Sequence, residues 1–135
     1  MPIKWWPRLE REALGPLAER GEAVFGQTDW VNGAPRPPIR VAPTDVVILE
    51  GVSSGRRAVT DRSSVLVWIE TPAHVRLARG LERDGKSMTD AWSDWMAEED
   101  AHYAIDQTID RADLVVDGAP AIHHDADAAF VVIDR

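Results

Sequence analysis

The sequence predicts an α/β fold. Short runs that are apolar at every position, typical of strands buried on both faces of a parallel sheet, alternate with segments of helical periodicity. Two of these runs, residues 46–49 and 65–69, are separated by just enough residues for a short crossover helix between parallel strands. A length of 135 residues fits one domain. Such alternation is typical of a sheet covered by helices.

The first third of the chain predicts one helix and one loop. Residues 8–20 place leucine and alanine side chains on one helical face, and Gly21 is a natural end for that helix. Pro16 lies inside the pattern and should kink or shorten the helix. Residues 26–43 are rich in Gly, Pro and Asn, so we expect a long loop there, of the kind that is functional or mobile.

The remaining elements alternate between strands and helices. The strand at 46–49 ends at Glu50, and the strand at 65–69 leads to Thr71 and Pro72, which should cap and begin a helix that runs to residue 84. A long acidic helix is predicted over 87–107, with Ser87 and Asp90 spaced as a capping box. Short strands are predicted at 114–116 and 130–133.

Composition excludes several classes of protein. A hydrophobic content of 44% argues against wholesale disorder, and the absence of cysteine excludes disulfide scaffolds, thiolate zinc sites and cysteine nucleophiles. No apolar run approaches the roughly 20 residues that a membrane helix needs. Residues 1–10 lack an apolar signal core, which makes the cytoplasm the default location.

The charge is unevenly distributed. Residues 1–81 hold 11 basic and 9 acidic side chains, whereas residues 82–135 hold 4 and 14. The net charge of −8 argues against binding to nucleic acid, which needs clustered positive charge. Because the arginines gather outside the acidic part, the same charge is no argument against a small anionic ligand.

Glu50 is the first candidate site residue. It ends an apolar strand, and ligands of open α/β sheets bind beyond the carboxyl ends of the strands. A carboxylate in that position commonly holds Mg²⁺, directly or through water. The alternative, equally weighted, is a strand-end acid that caps the next helix or pairs with Arg56 or Arg57.

Three arginines form the second candidate. At about 100° per residue, Arg76, Arg79 and Arg83 lie within an arc of about 60° on the predicted helix. Such a row favours an anion, since guanidinium groups bind phosphate through two parallel hydrogen bonds. The alternative, which we favour for the row taken alone, is a solvated face paired with Glu70, Glu82 and the acidic helix.

Two further clusters have simpler explanations. The stripe of Met88, Trp92, Trp95 and Met96 has the spacing of a packing face, and burial in a core or interface is favoured over ligand stacking. The histidines and aspartates at 123–127 are interpreted as a polar turn, with a metal-dependent hydrolase as the least supported alternative. One string, residues 80–87, fits the pattern GxxxxGK[ST], but it lies at the end of a predicted helix and not after a strand, so we predict no phosphate-binding loop in the chain.

In their order and spacing, three strings resemble the C-terminal two-thirds of the uridine kinase-like P-loop kinases: VVILEGVSSGRR, VLVWIETPAHVRLARGLERDG and ADLVVDG. The likeness covers about residues 5–133. It implies a three-layer, parallel-sheet P-loop kinase-like domain that lacks the P-loop strand. Residues 1–135 would then be a single partial domain, with a lid over about 72–90.

The resemblance also implies an activity and roles for individual residues. The reaction would be ATP-dependent phosphoryl transfer to the hydroxyl of a small, nucleoside-like molecule, with ATP and Mg²⁺ as cofactors. Glu50 and Arg79 would be the catalytic residues, Glu50 at the metal and Arg79 at the transferring phosphate. Asp29, Trp30 and Arg76 would bind the acceptor, and Arg83 would belong to the lid over ATP.

Two departures from the family pattern bear on the activity. The family's P-loop segment would come before Met1, and Thr28 stands where the family has an aromatic residue before the aspartate, with no histidine in 31–40. We therefore expect a truncated and impaired enzyme whose acceptor is open. The alternative is a non-catalytic interaction module that forms homo-oligomers through an exposed sheet edge or through the Trp92 and Trp95 helix.

Overall fold

The computed structural model describes residues 5–29, 32–42 and 45–134. The chain divides into two compact units, Ile3–Glu50 and Gly51–Arg135, and each is described by itself. The first contains a helix and an antiparallel hairpin, and the second contains a parallel pair of strands with two helices between them. Mixed α/β structure is therefore confirmed. No helix in the part that the structure describes is long and apolar enough to cross a membrane.

The predicted helix at 8–20 is present and starts slightly earlier. It consists of α1 (Trp6–Leu9), a π-helical segment (Glu10–Leu14) and α2 (Gly15–Arg20). Pro16 has no amide hydrogen to donate, and the π-helical turn lies directly before it, where the amide of Gly15 bonds to the carbonyl of Glu10. Gly21 ends the helix in the left-handed conformation, with φ of 74°, as predicted.

The prediction of a loop at 26–43 is wrong, because most of this segment forms a hairpin. Strands β1 (Ala23–Thr28) and β2 (Pro35–Val41) pair antiparallel, with a bulge where Gly26 faces two consecutive prolines. Those prolines have no N–H to offer the Gly26 carbonyl. Nη2 of Arg8 donates to that carbonyl instead, at 2.6 Å. A proline-rich segment thus remains a strand because a neighbouring helix supplies the missing donor.

The prediction of a strand at 46–49 is also wrong. These residues have no regular structure, and the side chains of Val46 and Ile48 are 70% and 85% exposed. A β-branched run becomes a strand only where another strand pairs with it, and among the described residues none pairs with this one. The expected crossover helix that follows is reduced to a 3₁₀ turn at Arg57–Val59.

The strands predicted at 65–69 and 114–116 are confirmed as β3 (Val67–Glu70) and β4 (Leu114–Asp117). They pair in parallel, from Val67 with Leu114 to Glu70 with Asp117, so the partner of β3 is β4 and not the segment at 46–49. The last predicted strand, at 130–133, is reduced to one antiparallel bridge between Val132 and Val116.

Both predicted helices of the second unit are confirmed as α3 (Ala73–Asp84) and α4 (Thr89–Asp106). Neither carries the predicted side-chain cap. Pro72 itself precedes α3, and its carbonyl accepts from the amides of Val75 and Arg76. Ser87 is drawn into a 3₁₀ turn at Lys86–Met88, so that it does not reach the capping position before α4.

Asp113 sets the register of the parallel pair. Its carboxylate accepts from the amide of Leu66 at 2.7 Å, while its own amide donates to the Leu66 carbonyl at 2.9 Å. On the face covered by α4, Trp68 meets Tyr103 edge to face at 4.7 Å. Val115, the neighbour of Trp68 across the sheet, is buried. The carboxyl ends of both strands therefore lie at one edge of the sheet. The chain leaves β3 at this edge and enters α3.

Candidate functional site

The candidate site begins at the carboxyl ends of β3 and β4. Glu70 and Asp117 end the two strands, and the amide of Gly118 donates to the Glu70 carbonyl at 2.7 Å. A Cβ at Gly118 would lie 2.1 Å from Oγ1 of Thr71 and 3.1 Å from the Glu70 carbonyl. Only glycine therefore allows the chain to pass this closely over the end of β3.

Arg79 of α3 is anchored to this edge. Its Nη1 donates to the Gly118 carbonyl at 2.9 Å, and its side chain is otherwise exposed. No described residue forms an ion pair with it. One of the five N–H groups of the guanidinium is thus used for positioning, and the others are available to an anion.

Arg76 is held by the neighbouring helix. Its Nη1 bonds to Oε2 of Glu99 at 2.5 Å, and its Nη2 lies 3.9 Å from Oδ1 of Asp100. Burial raises the pKa of the Glu99 carboxyl, and the attraction of Arg76 opposes that rise. Arg76 is therefore half-buried and occupied, as the alternative interpretation of the arginine row predicts.

Arg83 is occupied as well. Its Nε and Nη2 donate to the two carboxylate oxygens of Asp84 at 2.8 and 2.9 Å, and its guanidinium lies 5.7 Å from the ring centroid of Trp92. The hydrogen bond from Arg83 lowers the pKa of the Asp84 carboxyl. The three arginines share one helix, but only Arg79 lacks a described carboxylate partner.

The other predicted site residues belong to the first unit. Glu50 is exposed in an irregular segment, so it does not end a strand as predicted. Asp29 follows β1 at the hairpin turn, where its Oδ2 accepts from Nη2 of Arg36 at 2.6 Å and its Oδ1 accepts from the Asn32 amide. Trp30 lies outside the described residues.

The histidine and aspartate cluster forms the predicted polar turn. Nδ1 of His124 contacts the Ile122 carbonyl, and Oδ1 of Asp125 accepts from the amide of Asp127. Across residues 5–29, 32–42 and 45–134, no three His, Cys, Asp or Glu side chains come together as a metal site would require.

Sequence reasoning missed a part-buried polar network around Asp106. Oδ1 of Asp106 accepts from Arg111 Nη2 at 2.6 Å and from Thr108 Oγ1 at 2.5 Å, and Oδ2 accepts from the amide of Arg57. Burial alone would raise the pKa of the Asp106 carboxyl, but these hydrogen bonds outweigh it and lower the pKa to about 2.

The same network reaches the turn after Gly51. Arg111 also donates to the Gly55 carbonyl at 2.9 Å, and the hydroxyl of Tyr103 accepts from the amide of the buried Ser53 at 3.0 Å. Burial raises the pKa of the Tyr103 hydroxyl.

The only sequence signal for this network was Asp106, which stands two residues before Thr108 at the end of a predicted helix. The network holds the backbone at Arg57 and Gly55, and among its polar side-chain atoms Nε of Arg111 is buried without a described hydrogen-bond partner. Because several of its bonds join side chains to the backbone, we assign it a structural role.

Comparisons with known proteins found no similar protein. No protein-family model, no curated protein and no solved structure matches the chain.

Proposed function

We propose that residues 51–135 are the phosphate-binding part of a uridine kinase-like phosphotransferase, in which Arg79 contacts the transferring phosphate. The observation that supports this most is the anchoring of Arg79 by the Gly118 carbonyl at the carboxyl edge of a parallel strand pair. In open α/β sheets that edge is where ligands bind. The connection from β3 through α3 and α4 to β4 would correspond to the lid and last strand of a three-layer kinase fold.

For phosphoryl transfer, a protein contributes mainly by neutralising charge and by positioning the reactants. Phosphoryl transfer proceeds through a state whose charge is spread over three equatorial oxygens, and a guanidinium neutralises that charge without reorganising. Arg79 can do this as it stands. Arg76 and Arg83 would first exchange Glu99 and Asp84 for the acceptor or the phosphates, and Arg83 is the more exposed of the two.

The exposed guanidinium of Arg79 suits the negative charge of ATP, and any Mg²⁺ would arrive with the nucleotide. Glu50, the carboxylate that the sequence predicts as the Mg²⁺ ligand, belongs to the other compact unit, so we assign it no role at this edge. The string at residues 80–87 fits the pattern GxxxxGK[ST], but it forms the end of α3 and the 3₁₀ turn that follows, and not a loop between a strand and a helix that could cradle the β- and γ-phosphates. We therefore expect nucleotide binding with little or no transfer from these 135 residues alone.

Calorimetric titration with MgATP tests the binding. Arg79→Ala should lower the affinity at least about tenfold, in line with the loss of one charge-assisted contact. Arg20→Ala, which removes an exposed arginine at the end of α2, is the matched control and should leave the affinity unchanged. Equal effects of the two substitutions would contradict the proposal.

A transfer assay with MgATP and pyrimidine nucleosides tests the expected impairment. Turnover in the range of typical kinases, about 1–100 per second, that is lost in Arg79→Ala would show an intact enzyme. That result would contradict the expected impairment of the enzyme and would support the proposed role of Arg79.

A second candidate, a non-catalytic interaction module, is favoured by the exposed face of β3. Val67 and Ile69 project from the face opposite to Trp68 and are 47% and 64% exposed. Uncovered apolar faces of this kind mark interfaces between chains. Sedimentation of the purified protein distinguishes the candidates: a concentration-dependent dimer that Ile69→Lys dissociates, without any affinity for MgATP, would favour the module.

A further inference from the structure

The outward face of α4 carries two exposed apolar side chains. Trp95 is 36% exposed and Ile105 is 83% exposed. Ten residues of helix separate them, which corresponds to about 15 Å at 1.5 Å per residue. They lie within an arc of about 80° around the helix, so that one partner can contact both.

Trp95 is held in place from behind. Its ring stacks on that of Trp92 with a centroid distance of 5.3 Å and an interplanar angle of 6°. Trp92 in turn packs against Gly80 of α3, and its Nε1 donates to Asp84 at 3.0 Å. A tryptophan that is fixed before binding loses little side-chain entropy on binding, and tryptophan is enriched among the residues that dominate interface energies.

Negative charge lies beside the two apolar side chains: Glu98 stands between them along the helix, and Asp94 stands directly before Trp95. Asp94 and Glu98 fall within about 100° of Trp95 on the same side of α4. No described basic residue forms an ion pair with either carboxylate. Residues 82–135 as a whole hold 14 acidic and only 4 basic side chains. A complementary surface must therefore be basic next to its apolar contacts.

We propose that this outer face of α4, comprising Trp95, Ile105, Asp94 and Glu98, docks a basic amphipathic helix of a partner protein. Two apolar residues of that helix, about ten positions apart, contact Trp95 and Ile105. Lysine or arginine side chains on either side of the residue that contacts Trp95 face the two carboxylates. The surface contains none of the three arginines at the candidate phosphate site, so it goes beyond the proposed function and does not depend on it.

Fluorescence anisotropy with a labelled, amidated 14-residue peptide of leucine and lysine tests the proposal on the full chain. Saturable binding that weakens with salt is expected, and a version with glutamate in place of lysine should not bind. Trp95→Ala and Ile105→Ala should each lower the affinity about tenfold. The pair Asp94→Asn and Glu98→Gln should reduce both the affinity and its salt dependence.

The control for charge is the pair Asp125→Asn and Asp127→Asn in the exposed turn, which removes the same charge elsewhere and should change the affinity less than twofold. Equal losses for the two double variants, or unchanged binding in both folded alanine variants, would overturn the proposal. So would a dimer, seen in sedimentation, that Trp95→Ala dissociates, because the occupant would then be a second copy. Circular dichroism establishes that each variant is folded, and Ile105, whose side chain is almost fully exposed, can be replaced without loss of packing.

Discussion

Gly80 of α3 lies directly against the indole ring of Trp92 of α4. A Cβ added at Gly80 would come within 2.5 Å of two carbons of that ring, closer than any ordinary contact. The absence of a side chain at residue 80 is therefore what lets the two helices carry a tryptophan between them. Arg83 and Trp95 lie on Trp92 as well, so this contact supports both the arginine helix and the outer face of α4.

Replacing Gly80 by alanine should destabilise the protein. Overpacking costs typically about 1–3 kcal/mol, and the better helix propensity of alanine recovers only about 1 kcal/mol. Urea unfolding should show a net loss of about 1 kcal/mol. In a Trp92→Ala background the clash is gone, so Gly80→Ala should become stabilising there. A substitution that stabilises both backgrounds would show that the two side chains do not meet.

Asp106 should make the stability of the protein fall in acid. Its folded-state pKa of about 2 lies below the ordinary value of 3.8, so its contribution is complete above that value and is lost as the pH falls towards 2. The difference corresponds to about 2 kcal/mol. Between pH 5 and pH 2 the free energy of unfolding should therefore fall about 2 kcal/mol further in the wild type than in Asp106→Asn.

Asp110→Asn, at an exposed position in the following 3₁₀ turn, is the control for the acid experiment and should keep the pH dependence of the wild type. If Asp106→Asn retained the full pH dependence, its hydrogen bonds with Thr108 and Arg111 would contribute no stability.

Gly118→Ala should disturb the candidate site and the fold together. The added Cβ would meet Thr71 at 2.1 Å and the Glu70 backbone at 3.1 Å, so the chain after β4 must move and take the carbonyl that anchors Arg79 with it. We expect a loss of about 1–3 kcal/mol in urea unfolding and a weaker affinity for MgATP. A folded Gly118→Ala protein with unchanged MgATP affinity would show that the anchor does not position Arg79.

Sequence reasoning succeeded where local signals decide the structure. The helix periodicity, the helix end at Gly21 and the β-branched runs at 65–69 and 114–116 are each confirmed by an observed element. It failed where the outcome depends on a partner distant in sequence. The run at 46–49 has the composition of a strand, but no described strand pairs with it. The proline-rich segment at 35–41 has the composition of a loop, but it pairs as a strand, and Arg8 supplies the donor that its prolines lack.

The candidate site was predictable only in part, for the same reason. The spacing of Arg76, Arg79 and Arg83 on one helix followed from the sequence, and the structure places them on α3. Which of them is occupied did not follow from it, because Glu99 and Gly118 are 23 and 39 residues away from their partners. The network around Asp106 was missed because Arg57 lies 49 residues from Asp106 and Gly55 lies 56 residues from Arg111.

The most direct test of the central claim is NMR of the arginine Nε–H groups during titration with pyrophosphate. The account predicts that the Arg79 signal, assigned from Arg79→Lys, shifts and saturates while the Arg20 signal stays in place. An Arg79 signal that does not move, or one that moves no more than that of Arg20, would contradict a phosphate site at the carboxyl edge of β3 and β4.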